Sequence, residues 1–363
     1  VEVIGPAGSG KSMIAAEKAL RLAREGYRTL LVCYNAPLAA ALGRELAEAR
    51  EVAERVGGGL TIATFHRLAE LLAVRAGTIE SRPTDGRLPD GWLEALPGAL
   101  GGAIERLPDE RFHAVLVDEG QDFDPDWLLL VQSLLRDPDE GVFWVFHDPG
   151  QAVRCPDVVG QLGLGYRVHL YENLRNPGSI AALANRFYRG GEAVSALRDA
   201  DVDPGSAWGP GSGAGTERRY RIVEAEPGRP TVEAVRRELH RLTNTEDVPG
   251  WHIAVLTGSS AGKSAVWRER EFGNVVLWNG AIDDAGNSLG LAPEELPDDP
   301  PDRGTVLFET VRRFKGLERP VIVLCELPTE GERLDELLYI ALTRATTELV
   351  VVAPPELAGR LRG

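Results

Sequence analysis

The chain has 363 residues, 43% of them hydrophobic and 26% charged, with a formal net charge of -15. That length builds two ordinary domains with real cores, and no apolar run approaches membrane-spanning length, so a soluble, cytoplasmic protein with no membrane partner is expected. The three cysteines (Cys33, Cys155, Cys325) lie far apart and form no CxxC pair, so neither a disulfide framework nor a zinc site is suggested, and the acidic balance argues against a broadly basic surface while leaving room for a local basic groove.

The first apolar strand, VEVIG, runs into Gly5-Pro6-Ala7-Gly8-Ser9-Gly10-Lys11-Ser12. A helix from about 11 to 25, closed by Gly26, is predicted next, then a strand RTLLVCY and a helix over about 36–50. A short strand LTIAT and a helix starting near Phe65 follow. AVLVDE (114–119) reads as a buried strand, PDWLLLVQSLL as a helix and VFWVF (142–146) as another buried strand. Continuous apolar strands alternating with helices predict a parallel sheet covered on both faces.

A second α/β block begins near Val168, with YENLRN, a helix over about 179–188, and strands at RIVEA, HIAVLT, VVLW, TVLFET, VIVLCEL and ELVVVA. Two flexible loops are predicted, a Gly/Pro/Ser-rich one over about 201–217 and an acidic one over about 281–304. The domains are therefore expected at 1–166, with a small insertion over about 75–110, and at 167–363. Because the chain begins inside a strand without a Met, it is expected to be a piece of a longer one.

Residues 5–12 fit GxxxxGK[ST] between a strand and a helix, the arrangement that wraps backbone N–H groups around a β-phosphate. Gly5, Gly8, Ser9 and Gly10 form the loop, Lys11 bridges the β and γ oxygens, and Ser12 holds Mg²⁺. The 40 basic residues include only four lysines, so a lysine at position 11 is selective: an ammonium point charge does what a guanidinium fork does not. A second GKS at Gly262-Lys263-Ser264 is one residue short between its glycines and reads as a turn or helix start. In LVDEGQDF (116–123) the strand ends in adjacent carboxylates, where Asp118 would hold the Mg²⁺ water shell and Glu119 would polarise an attacking water.

DEGQDF resembles the DExx box of superfamily 1 helicases of the UvrD/Rep type, and similar motifs follow in the same order. LLVCYNAPLAAAL (30–42), TFHRL (64–68), FHDPGQAV (146–153), LYENLRN (170–176), ETVRRFKGLE (309–318) and LLYIALTRA (337–345) each look like one of that family's motifs. The resemblance implies two RecA-like P-loop NTPase lobes with an ATP site in the cleft between them. It also implies hydrolysis of ATP with Mg²⁺ by a translocase or helicase acting on single-stranded nucleic acid, expected to be DNA. On this reading Gln151 senses the γ-phosphate, Arg175 and Arg344 act as arginine fingers, and Glu318 contacts the ribose. Tyr34, Asn35, Thr64, Phe65 and His66 would line the nucleic-acid track.

The phrasing is most similar to the helicase part of proteins with an N-terminal nuclease-related (NERD) domain, which would then be a partner in the full-length chain. Departures from the pattern are Leu174 in place of an adenine-stacking tyrosine, Arg313 in place of a histidine, and no Trp after Gln151. They keep open an alternative, a nucleic-acid-responsive ATPase switch that gates an attached nuclease or partner without processive unwinding.

Overall fold

The structure is a computed structural model that describes residues 1–55, 57–81, 89–151, 159–189, 219–297, 302 and 304–363. The loop predicted over 201–217 lies outside the described residues, as does Cys155. Two compact units are present. The first comprises Val1–Gly5, Gly10–Leu170 and Leu289–Leu296; the second comprises Pro6–Ser9, Tyr171–Ser288 and Pro297–Gly363.

The strands of the first unit are β1 (Glu2–Ile4), β2 (Arg28–Cys33), β3 (Gly59–Thr64), β4 (Ala114–Val117), β5 (Val142–His147) and β6 (Arg167–His169). They form one sheet in the order β3-β2-β4-β5-β1-β6, and every pairing is parallel. Its helices are α1 (Lys11–Arg24), α2 (Ala36–Glu45), α3 (Ala47–Arg55), α4 (Phe65–Ala76), α5 (Trp92–Arg106) and α6 (Pro125–Gln132). All four residues of β4 are buried, as a strand covered on both faces requires. On α1 the residues turned inward are largely small (Ala15, Ala16, Ala19, Ala23), which lets the helix lie close to β2. Gly26, at φ 91°, ends it in the left-handed conformation that costs glycine least.

Two expectations are revised here. The helix predicted over 36–50 is two helices, because Leu46 leaves the helical region at φ -96°, ψ 6°. α2 then packs on β2 and β3, while α3 turns onto α1. The stretch read as an insertion over 75–110 carries α5, whose Leu96, Leu100 and Ala103 are buried in the same core as Phe65, Leu68 and Phe123. The described residues of α5 thus pack into the core.

The second unit holds β7 (Tyr220–Glu224), β8 (Ile253–Thr257), β9 (Glu271–Phe272), β10 (Val275–Trp278), β11 (Thr305–Thr310), β12 (Arg319–Cys325) and β13 (Ala345–Ala353). Their order is β7-β13-β12-β8-β11-β10-β9, parallel except for the short β9–β10 pair. The helices are α7 (Gly178–Asn185), α8 (Arg229–His240), α9 (Ala265–Glu269), α10 (Leu334–Leu342) and α11 (Pro355–Arg362). Val255, Val323, Val350 and Phe308 from the central strands meet Val235 and Leu239 of α8 in its core. Two parallel α/β sheets covered by helices is the fold class expected of RecA-like lobes. Among the described residues, no helix is long and apolar enough to cross a membrane.

Candidate active site

The carboxyl ends of parallel strands are where α/β sheets place ligands, and register determines what gathers there. Ile4 of β1 pairs with His147 of β5, Val145 with Val117 of β4, Val117 with Val32 of β2, and Cys33 with Thr64 of β3. The residues just beyond these pairs are Gly5, Asp148, Asp118, Tyr34 and Phe65. Five motifs scattered over more than a hundred residues thus share one sheet edge.

At one end of that edge is the glycine-rich loop. Gly10 caps α1 at φ 85°, a left-handed conformation, and the Lys11 ammonium donates to Gly5 O at 2.8 Å. Lys11 and Ser9 are each only 5% exposed, and Ser9 Oγ has no hydrogen-bond partner among the described residues. A buried hydroxyl without a partner is costly unless a ligand satisfies it.

The paired carboxylates follow β4, which is separated from β1 by β5. Asp118 is fully buried; its Oδ1 accepts the Glu119 N–H at 3.0 Å, and its Oδ2 has no partner among the described residues. Burial and the negative charge of Glu119 push its carboxyl up to about 7, against a hydrogen bond from Ser12 and the positive charge of Lys11. An orphaned carboxylate oxygen beside a serine hydroxyl fits a Mg²⁺ ion completed by phosphates and water. No group of three or more His, Cys, Asp or Glu gathers to hold a metal among the described residues, and such a Mg²⁺ site needs none.

Glu119 adopts the left-handed region at φ 55°, ψ 42°, a strained conformation for a residue with a Cβ. The 3₁₀ turn Gly120–Asp122 starts there. Gly120 has no room for a side chain, since a Cβ would stand 2.5 Å from Val145 Cγ1. Gln151, 1% exposed, donates to Asp148 Oδ2 at 2.6 Å, and Asp148 Oδ1 accepts the Gly150 N–H.

At the other end of the edge is an aromatic cluster. Tyr34 and His66 are half-buried, their rings set edge to face at 6.0 Å, and both contact Trp127 of α6. Phe65 is fully buried and stacked on Trp127 at 4.6 Å, so its ring packs inside the cluster rather than facing solvent. Thr64 caps α4, its Oγ1 accepting the Arg67 N–H, and Asn35 sits at the N-cap of α2. Trp127 was not picked out from the sequence; an aromatic one turn after the acidic motif is the only signal it gives.

In the second unit, Arg175 pairs with Glu318, so the first expected arginine finger and the expected ribose contact meet each other. Arg344 is 1% exposed and donates to Ile340 O and Thr343 Oγ1, both at 2.8 Å. Asn176, missed in the sequence, donates to the carbonyls of Thr343 and Ala345, stitching the segments of the two arginines together.

The second GKS proves to be a helix start. Ser264 caps α9 through the Trp267 N–H, and the free amides of Ala265 and Val266 are taken by Glu326 Oε1 at 2.7 and 3.3 Å. An internal carboxylate sits where a phosphate would have to.

Residues 305–352 match the family described as the UvrD-like helicase C-terminal domain, a segment that runs from β11 into β13. Among solved structures the chain is similar to a PRRSV helicase (13% identity, 98% of this chain and 52% of that one, TM-score 0.44). It is also similar to arterivirus nonstructural protein 10, a helicase (16% identity, 99% and 61%, TM-score 0.41). The chain thus spans about half to three-fifths of the length of these structures. No curated protein matches it.

Proposed function

We propose that the chain is an ATP hydrolase of the superfamily 1 helicase type that moves along single-stranded nucleic acid, with DNA as its track. The observation carrying this reading is the orphaned, buried Asp118 Oδ2 beside Ser12 and Lys11, one residue from Glu119. Lys11 and the loop amides hold the β- and γ-phosphates of ATP, and Glu119 accepts the proton of the attacking water. Mg²⁺ held by Asp118 and Ser12 would neutralise charge on the phosphate oxygens. Gln151 reports the γ-phosphate, and Arg175, once drawn off Glu318, acts with Arg344 on the transition-state charge. Such arginines are worth about 10³–10⁵ in rate in phosphoryl transfer generally. Tyr34, His66 and Trp127 form the wall against which unpaired bases lie; aromatic stacking of this kind is indifferent to sequence.

The test is steady-state ATP turnover with and without single-stranded DNA or RNA. Stimulation by a polynucleotide is expected, and Lys11→Ala or Glu119→Gln is expected to abolish steady-state turnover, Glu119→Gln keeping only a slow residual rate visible in single-turnover measurements; no stimulation by any DNA or RNA would sink the motor reading. The burial of Phe65 favours a second reading, an ATP-dependent switch that grips nucleic acid without processive movement and gates a nuclease-related partner. Strand displacement from a tailed duplex separates the two, since activity there excludes a pure switch.

A further inference from the structure

Gln121 lies two residues past Glu119, is 2% exposed, and has both ends of its amide engaged. Its Oε1 accepts the backbone N–H of Asp148 at 3.0 Å. A backbone N–H only donates, so this bond settles which way the amide points, and the NH₂ must face the other way. There it donates to Glu119 Oε2. Asp148, fully buried, in turn holds Gln151 Nε2 at 2.6 Å. Three buried bridges therefore run from Glu119 through Gln121 and Asp148 to Gln151, all inside the first unit.

The backbone explains how the link is made. Glu119 turns the chain in the left-handed region, and the side-chain-free Gly120 lies flat against Val145 of β5. That close approach brings Gln121 to the amide just beyond the end of β5. A larger residue at 120 would lift the turn away and break the reach.

We propose that Gln121 is a positioning residue: it aims the Glu119 carboxylate and makes that aim depend on the Asp148–Gln151 loop. The inference rests on the reading of Glu119 as the base that activates water. A shift of the loop moves the Asp148 N–H, the amide follows, and the carboxylate turns with it. Hydrolysis is thereby tied to the placement of Gln151 without Gln151 touching the water.

The experiment uses the full chain with Gln121→Glu and Gln121→Met, each alone and with Glu119→Gln. Gln121→Glu keeps an acceptor for the Asp148 N–H but sets a carboxylate against Glu119; Gln121→Met removes both bonds at similar volume. Turnover at saturating oligothymidylate gives kcat and KM, with the active fraction counted by a fluorescent ATP analogue. In each single variant kcat is expected to fall about tenfold or more while KM stays within about threefold, since aim is lost and nucleotide binding is not. In single-turnover measurements on the Glu119→Gln background, adding Gln121→Met is expected to change the residual rate by less than about twofold, because no carboxylate remains to be aimed. A purely structural role instead gives the same fold-loss on both backgrounds. That result, or a kcat within twofold of the parent in both single variants, overturns the proposal. If the parent chain hydrolyses no ATP, the underlying hydrolase reading falls first, and this is seen before any variant is made.

Discussion

At the scale of single residues, the buried acid is the informative one. Asp118 is pushed up to about 7 from an ordinary 3.8, chiefly by burial and next by Glu119. A raised carboxyl binds its proton more tightly folded than unfolded, so this group's contribution to stability is present at low pH and is lost as pH rises from about 4 to about 7. Without nucleotide or metal, Asp118→Asn is expected to melt above the parent at pH 8 and level with it near pH 4; a constant gap between the two melting curves would contradict the assignment. Mg²⁺ with an ATP analogue is expected to protect the parent more at pH 8 than at pH 6, because below about 7 protons compete for the same oxygen. Lys11, Ser12, Asp118 and Glu119 were legible in the sequence because spacing alone carries them. The burial of Phe65 was not, since a phenylalanine in a core and one on a surface read alike until Trp127 is seen covering its face. Gln121 was not legible either, because its amide meets a backbone N–H 27 positions away.

At the scale of elements, the apolar runs that became β4, β5, β8, β12 and β13 were legible since a strand buried on both faces leaves no other pattern. The break between α2 and α3 and the docking of α5 onto α4 were not, because both answer to tertiary packing. α8 shows how much an element can depend on one cation. It runs into a π-helical turn at Arg241–Thr245, where Arg241 binds Glu238, Glu246 and Glu348 of β13. These carboxylates hold its guanidinium above the usual arginine range despite partial burial. Glu238 is buried, so Arg241→Met leaves a charge with reduced compensation. A loss of about 2–4 kcal/mol is expected by chemical denaturation, somewhat below a fully buried pair. A change under about 0.5 kcal/mol would show that these ion pairs contribute no more than exposed ones.

At the scale of the molecule, a net charge of -15 constrains how any nucleic acid can be held. Arg67, beside the aromatic cluster, is already bound by Glu70 and Glu294. On the proposed track, stacking is then expected to carry more of the binding than phosphate contacts. With about 0.7 units of salt slope per neutralised phosphate on a single strand, a slope of about -1 to -3 is expected from anisotropy titrations of a fluorescent oligonucleotide. A slope steeper than about -5 would mean a basic track and would overturn this expectation. Glu326 bears on a different kind of measurement. Because the chain fills the α9 cradle with its own carboxylate, that loop has no vacancy for a phosphate. Calorimetric titration with an ATP analogue should therefore saturate at one nucleotide per chain, and Glu326→Gln should leave that stoichiometry unchanged: a protein with two GKS sequences counts as a single-site binder.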